Sequence, residues 1–182
     1  LDPICADIFG DIDKNTVDFV DNYDGELKEP VLLPTAFPNV LVNSNQGIAV
    51  GMASNICSFN LNEVCQTTIA YLKDSECDIA QTLLAPDFST GGQLIYDEAE
   101  LRSIYKTGRG SFKVRSKYRY DKKNNCIEIY EIPYTTTVEA IMDKIIELVK
   151  LGKIREISDL RDETGLSGLK LTLDLKRGTD PD

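Results

Sequence analysis

The side chains available for chemistry in this 182-residue sequence are restricted from the outset, because it contains no histidine. That removes Ser-His and Cys-His nucleophilic catalysis and the commonest general base. The cysteines, Cys5, Cys57, Cys65, Cys77 and Cys126, are odd in number and scattered, with no C-x-x-C pair. They read as reduced thiols of a cytosolic protein rather than as a zinc site or a disulfide frame. Asp159, Asp162 and Glu163 fall in a polar connection, and no D-x-D cluster is present to hold a metal. Arg119 beside Tyr120 suggests a nucleophile with a cation at hand. The alternation around it turns Tyr120 toward an apolar face, so packing is the better reading. No catalytic residue and no metal ligand are assigned. The glycines of "NQGIAVGM" match neither a dinucleotide fingerprint nor a P-loop, since the spacing is wrong and no lysine follows.

Binding chemistry is better supported than catalysis. The net charge of −10 argues against nucleic acid, but its distribution does not. Residues 1–101 carry a net −14, residues 102–123 a net +8, and the remainder −4. A ligand responds to the local field rather than to the total. In "GSFKVRSKYRYDKKNN", Phe112, Val114, Tyr118 and Tyr120 alternate with Lys113, Arg115, Lys117 and Arg119. Period two predicts one half-buried strand with four cations on one face, about 7 Å apart. Either the cations face solvent and pair with Glu128 or Glu131 on a returning strand, or they face the phosphates of a nucleic acid, which repeat at a comparable spacing.

A second feature has the opposite character. From Pro30 to Asn62 there is no Asp, Glu, Lys or Arg, in a chain that is 27% charged. Within that run Ile48 follows the polar, glycine-ended "NSNQG". Ile48 fills a core strand, or it stands at the exposed end of a hairpin with Asn45, Gln46 and Gly47 beside it. An exposed aliphatic among short amides can wedge between base pairs in the minor groove. Carboxylates near such a tip would repel the duplex.

These residues need elements to hold them. "DPICADIF" starts helically and breaks near Gly10, and "DNYDGELKEP" reads as an acidic loop. Asn60-Leu-Asn-Glu63 resembles a capping box opening a helix to about Lys73, with Leu61, Val64, Cys65, Thr68, Ile69 and Leu72 inward. "GGQLIY" is a strand, 97–107 a short helix, and "CIEIYEIPY" the strand returning from the basic one. "TVEAIMDKIIELVKLGKI" is the clearest helix, with Val138, Ile141, Met142, Ile145 and Val149 on one face. "IREISDL" and "LKLTLDLKR" alternate as two further strands. The order hairpin–helix–hairpin predicts an α+β fold of mixed or antiparallel sheets with helices packed on one side. Two lobes are expected, residues 1–100 with the wedge and 101–182 with the basic hairpin. No apolar window approaches the ~20 residues that span a bilayer, and no signal peptide is read.

The stretches "VDFVDNYDGELKEPVLLPTAFPNVLVN", "GIAVGMASNI", "NLNEV", "YKTGRG", "EIPY" and "LRDE" occur in order along the chain. Together they resemble the A subunits of bacterial type IIA topoisomerases, meaning DNA gyrase or topoisomerase IV. The resemblance implies a tower-region fragment, inactive alone, with its junction to the winged helix in 1–100 and its end before the coiled coil. The family's catalytic tyrosine would lie a few residues upstream of Leu1. ATP and Mg²⁺ would belong to the partner B subunit, with none bound here. The implied partners are double-stranded DNA, the B subunit, plus a second A subunit, in a cytoplasmic, nucleoid-associated enzyme. By motif match Ile48 is the residue that inserts between base pairs of the gate duplex, with Asn45, Gln46 and Gly47 around it. Bent DNA arms would then meet Lys113, Arg115, Lys117 and Arg119.

The sequence departs from the family pattern twice. Ser44 stands where the family has Gly, and Cys57-Ser58-Phe59 replaces a Pro-Pro-His run. Two rival readings are a stand-alone architectural DNA-binding protein and a protein-interaction module whose basic hairpin meets an acidic partner.

Overall fold

The computed structural model describes residues 1–181 and divides into two compact units, Leu1–Pro86 and Asp87 onward. The division falls ahead of the expected residue 100. The strand at residues 93–95 pairs with residues 113–115, which ties it to the second unit.

The first unit begins with α1 (Ile4–Phe9), followed by the short antiparallel pair β1 (Phe19–Asp21) and β2 (Lys28–Pro30). The segment read as an acidic loop is therefore a hairpin. Its turn is drawn in by Asn22, which accepts from the Leu27 amide at 3.2 Å. A single helical turn, α2 (Asn39–Val42), leads into the hairpin β3 (Asn45–Ala49) and β4 (Met52–Ile56). Helix α3 (Leu61–Lys73) follows, capped by the Asn60 side chain accepting from Asn62 N. The predicted box is only half made, because Glu63 turns away to accept from Leu84 N at 3.0 Å. The stripe is also narrower than expected. Val64 is buried, whereas Leu61, Ile69 and Leu72 are exposed. Thr67, which binds Thr82 Oγ1 at 2.8 Å, takes their place on the covered side. The small core here is Phe59, Val64 and Leu83.

The second unit is built on a four-stranded antiparallel sheet of order β7 (Lys117–Asp121), β8 (Cys126–Glu131), β10 (Leu171–Leu175) and β9 (Ile157–Asp162). Beside these strands in sequence lies a two-stranded pair, β5 (Gln93–Ile95) with β6 (Lys113–Arg115), joined through α4 (Glu98–Thr107). Every pairing among the described strands is antiparallel, and the α+β expectation holds. Helix α5 (Val138–Lys150) connects β8 to β9, and β10 returns between them, a split β-α-β arrangement. Its half-buried side carries Val138, Ile141, Met142, Ile145 and Leu148, whereas Val149 is exposed.

Strand alternation gives the sheet two unlike faces. One carries Ile127, Ile129, Leu160, Leu171 and Leu173, and Leu171 is fully buried. The other aligns Arg119, Glu128, Thr172 and Arg161 across all four strands. Among the described residues no helix is long and apolar enough to cross a membrane.

Candidate nucleic-acid interface

The hairpin β3–β4 fixes where Ile48 stands. Its register sets Asn45 opposite Ile56, Gln46 opposite Asn55, Gly47 opposite Ser54, Ile48 opposite Ala53 and Ala49 opposite Met52. The tip is the two-residue turn Val50–Gly51, so the expectation that "NSNQG" forms it is corrected. The physical reason lies in the two glycines. Gly51 has φ +82°, the left-handed region where a side chain strains the backbone, and Gly47 is not in that region. The turn settles on the glycine that supplies positive φ, and Gly47 continues the strand.

Alternation then sorts the side chains. Gln46, Ile48, Ala53 and Asn55 share one face; Asn45, Gly47, Ala49, Met52 and Ser54 share the other. Ile48 is 85% exposed, Val50 fully exposed and Met52 76% exposed. This is an apolar point standing clear of its unit, on a segment without a charged side chain. The core alternative for Ile48 is excluded. Val50, Met52, Ala53 and Asn55 were not singled out from the sequence. The second glycine, Gly51, carried the signal that places the turn and hence the face.

The basic stretch is not one ladder. Lys113 and Arg115 lie on β6, opposite Ile95 and Gln93. Lys117 and Arg119 lie on β7, in the other sheet. A register shift between Lys117 and Tyr118 breaks the alternation, and Tyr118 becomes exposed. The expectation of four cations on one strand face is therefore corrected to two pairs with different surroundings.

The second pair is ion-paired within its own sheet. Lys117 Nζ reaches Glu131 at 2.9 Å, and Arg119 Nε reaches Glu128 at 2.5 Å. Glu131 also accepts from the Gly92 amide at 2.6 Å. That amide, with Lys117, holds its carboxyl below the usual carboxylate range. The approach is so close that a Cβ on Gly91 (φ +72°) would lie 2.2 Å from Glu131 Oε2. Glu128 is held down by Lys170 first and Arg119 second. From there the ion pairs continue. Lys170 Nζ lies 2.9 Å from Glu163, and Arg161 bridges Glu163 at 2.8 Å and Asp174 at 3.0 Å. Below them Thr172, 1% exposed, donates to Glu163 Oε2 at 3.0 Å. Asp121, Cys126 and Glu128 bring ligand atoms within 4.8 Å of one another. Their oxygens are already taken, Asp121 by the Asn124 side chain and the Lys123 amide, Glu128 by the two cations. Tyr120 donates its hydroxyl to Asn125 Oδ1 at 2.9 Å, which locks the β7–β8 turn.

Lys113 and Arg115 differ from that pair. Both are exposed, and neither forms an ion pair among the described residues. Lys113 shares the wall of a concavity of about 100 Å³ with Asp97 and Glu100. Its field is partly spent on those neighbours.

Each unit offers a feature suited to binding: an uncharged apolar projection in the first, and two exposed cations without an ion pair among the described residues in the second. Comparison with known proteins agrees in kind. The family of DNA gyrase/topoisomerase IV A subunits matches residues 1–182. The chain is 41% identical to the DNA gyrase A subunit of Mycoplasma genitalium over 187 aligned residues, all of this chain and 22% of that protein. It is 40% identical to the corresponding gyrase chain of Borreliella burgdorferi, across all of this chain and 23% of that protein. With the one from Metamycoplasma arthritidis the identity is 45%, over 94% of this chain and 20% of that protein. The chain thus spans about a fifth of the length of these relatives. With a match that runs from the first residue to the last, the chain belongs to the family of DNA gyrase/topoisomerase IV A subunits.

Proposed function

We propose that these residues hold and bend a DNA duplex within a type II topoisomerase. The observation that carries the reading is Ile48, 85% exposed on a hairpin with no charged side chain. Such a residue inserts at a base step from the minor groove, and unstacking costs a few kcal/mol, offset by contacts along the bent duplex. Asn45, Gln46 and Gly47 flank it on β3. Lys113 and Arg115 take backbone phosphates. Lys117 and Arg119, bound to Glu131 and Glu128, do not.

In the whole enzyme each A subunit contributes a tyrosine that attacks a phosphodiester and stores the break as a phosphotyrosine link, which the departing hydroxyl later reverses. We place that tyrosine outside residues 1–182, so this segment cleaves nothing by itself. A second duplex passes through the gap, driven by ATP on the B subunits, which also carry the Mg²⁺. The assembly comprises two copies each of the A and B chains and works on the chromosome in the cytoplasm.

The test is Ile48→Ala in the full-length protein, assembled with its B partner. Bending of a short duplex, read by end-to-end energy transfer, falls sharply. Unchanged bending overturns the wedge.

A further inference from the structure

The face that presents Ile48 presents two amides with it. Gln46 and Asn55 sit directly opposite each other, one pair of residues behind the Ile48–Ala53 pair on the same side of the ribbon. Both are exposed, and neither side chain makes a hydrogen bond among the described residues. Asn43, by contrast, is bonded to Asn39 at 2.8 Å. Two neighbouring carboxamides with all donors and acceptors unspent are a recognition element without a ligand.

Strand side chains stand roughly perpendicular to the ribbon. An inserting Ile48 therefore brings this whole face down on the groove floor, and Gln46 and Asn55 enter the same groove. Two residues along a strand cover about 7 Å, the rise of about two base pairs. The strands of a directly opposed pair are about 5 Å apart, against a minor groove about 6 Å wide that opens further at a kink. A carboxamide offers one carbonyl and two N–H donors. The minor-groove edge of guanine offers the complement, an acceptor at N3 beside the N2 amino donor. An A·T pair shows only acceptors there.

Resting on the DNA-bending reading above, we infer that Gln46 and Asn55 read G·C pairs about two steps from the unstacked step. They thereby set where on a duplex the bend is placed. Ile48 supplies the kink and carries no sequence information; the amide pair supplies the register.

The experiment uses the full-length protein with its B partner and short duplexes randomised around a fixed bend site, selected for the bent, bound form. The parent protein enriches G·C at the two-step positions by about fivefold or more. Replacing guanine there with inosine, which lacks the 2-amino group, abolishes the preference. Asn55→Ala, alone and combined with Gln46→Ala, selects no base at those positions among the duplexes it bends and is indifferent to inosine. An enrichment that survives the double substitution, or is absent from the parent, overturns the inference. Ile48→Ala run in parallel separates the two readings. If it leaves bending unchanged the wedge fails. If it abolishes bending while the amide variants alter nothing, the wedge stands and the readout fails.

Discussion

The β3–β4 hairpin and the polar face of the four-stranded sheet are opposites in what they contain and in what they leave available. The hairpin has no charge, no side-chain ion pair and three large apolar side chains in solvent. The sheet face carries Arg119, Glu128, Lys170, Glu163, Arg161 and Asp174, joined end to end by ion pairs of 2.5 to 3.0 Å. By composition the sheet is the binding surface; by what is unspent, it is the hairpin. A polar group already bonded within its own chain has little left for a ligand, because a new contact must first replace the old one. Abundance of charge is therefore a poor guide to a site, and the residues that a fold leaves without partners are a better one.

The comparison can be broken most directly at the sheet. Leu171, fully buried on its apolar face, makes that sheet a stability element. Leu171→Ala lowers unfolding free energy by about 2–5 kcal/mol, measured by urea titration. A loss below about 1 kcal/mol would mean that the sheet does not anchor its unit. A smaller effect comes from acid. Glu128, Glu131 and Glu163 are held below their ordinary range by cations and hydrogen bonds. Their contribution is complete above the unfolded value of about 4.3 and is lost as pH falls through the lower folded values. Acid titration followed by circular dichroism thus shows the second unit weakening below that pH, and Glu128→Gln flattens the response. A Glu128→Gln profile identical to the parent's would remove the network from the stability account.

Smaller again is the division of the cations. Lys113→Gln with Arg115→Gln lowers the slope of log affinity for DNA against log salt by about one unit per lost contact. Lys117→Gln with Arg119→Gln leaves the slope unchanged and lowers the urea midpoint. The reverse pattern would show that the ion-paired cations are the ones DNA uses. The smallest effect expected is on stability at the hairpin. Ile48→Ala shifts the unfolding free energy by less than about 0.5 kcal/mol, since an exposed side chain has little packing to lose. A larger shift would mean that Ile48 packs against its own protein.

Much of the frame was legible from local pattern. The helices α3 and α5 announced themselves by their apolar period, and α3 also by its cap Asn60, whereas the caps Asp97 of α4 and Thr137 of α5 emerge only in the structure. Strands β8, β9 and β10 announced themselves by alternation. Their signals lie within a few residues of one another in sequence. Illegible features depended on distant partners or on a single backbone angle. Glu128 and Glu131 on the returning strand were legible as partners, and Lys117 and Arg119 take them, but a one-residue shift there defeats any strict alternation and parts them from Lys113 and Arg115. The β1–β2 hairpin has only three residues per strand, too few to show a period. Ile48 was placed correctly at the exposed hairpin, yet its turn was assigned to the wrong glycine. Which glycine turns is decided by φ, and composition does not encode φ. The division at residue 100 failed for a related reason, since β5 belongs with β6 only once the two are paired.

The hydrogen bond from Gly92 to Glu131 spans 39 residues of chain. It has a consequence for the order of folding. The β7–β8 hairpin closes through near neighbours in sequence, which is fast, whereas the bond from Gly92 to Glu131 waits for a longer loop to close. Glu131 is presented by the fast-forming hairpin already paired to Lys117, so the late segment arrives at a finished receptor. A bulkier residue at Gly91 would meet that receptor occupied, and would slow this closure while leaving the β7–β8 hairpin untouched.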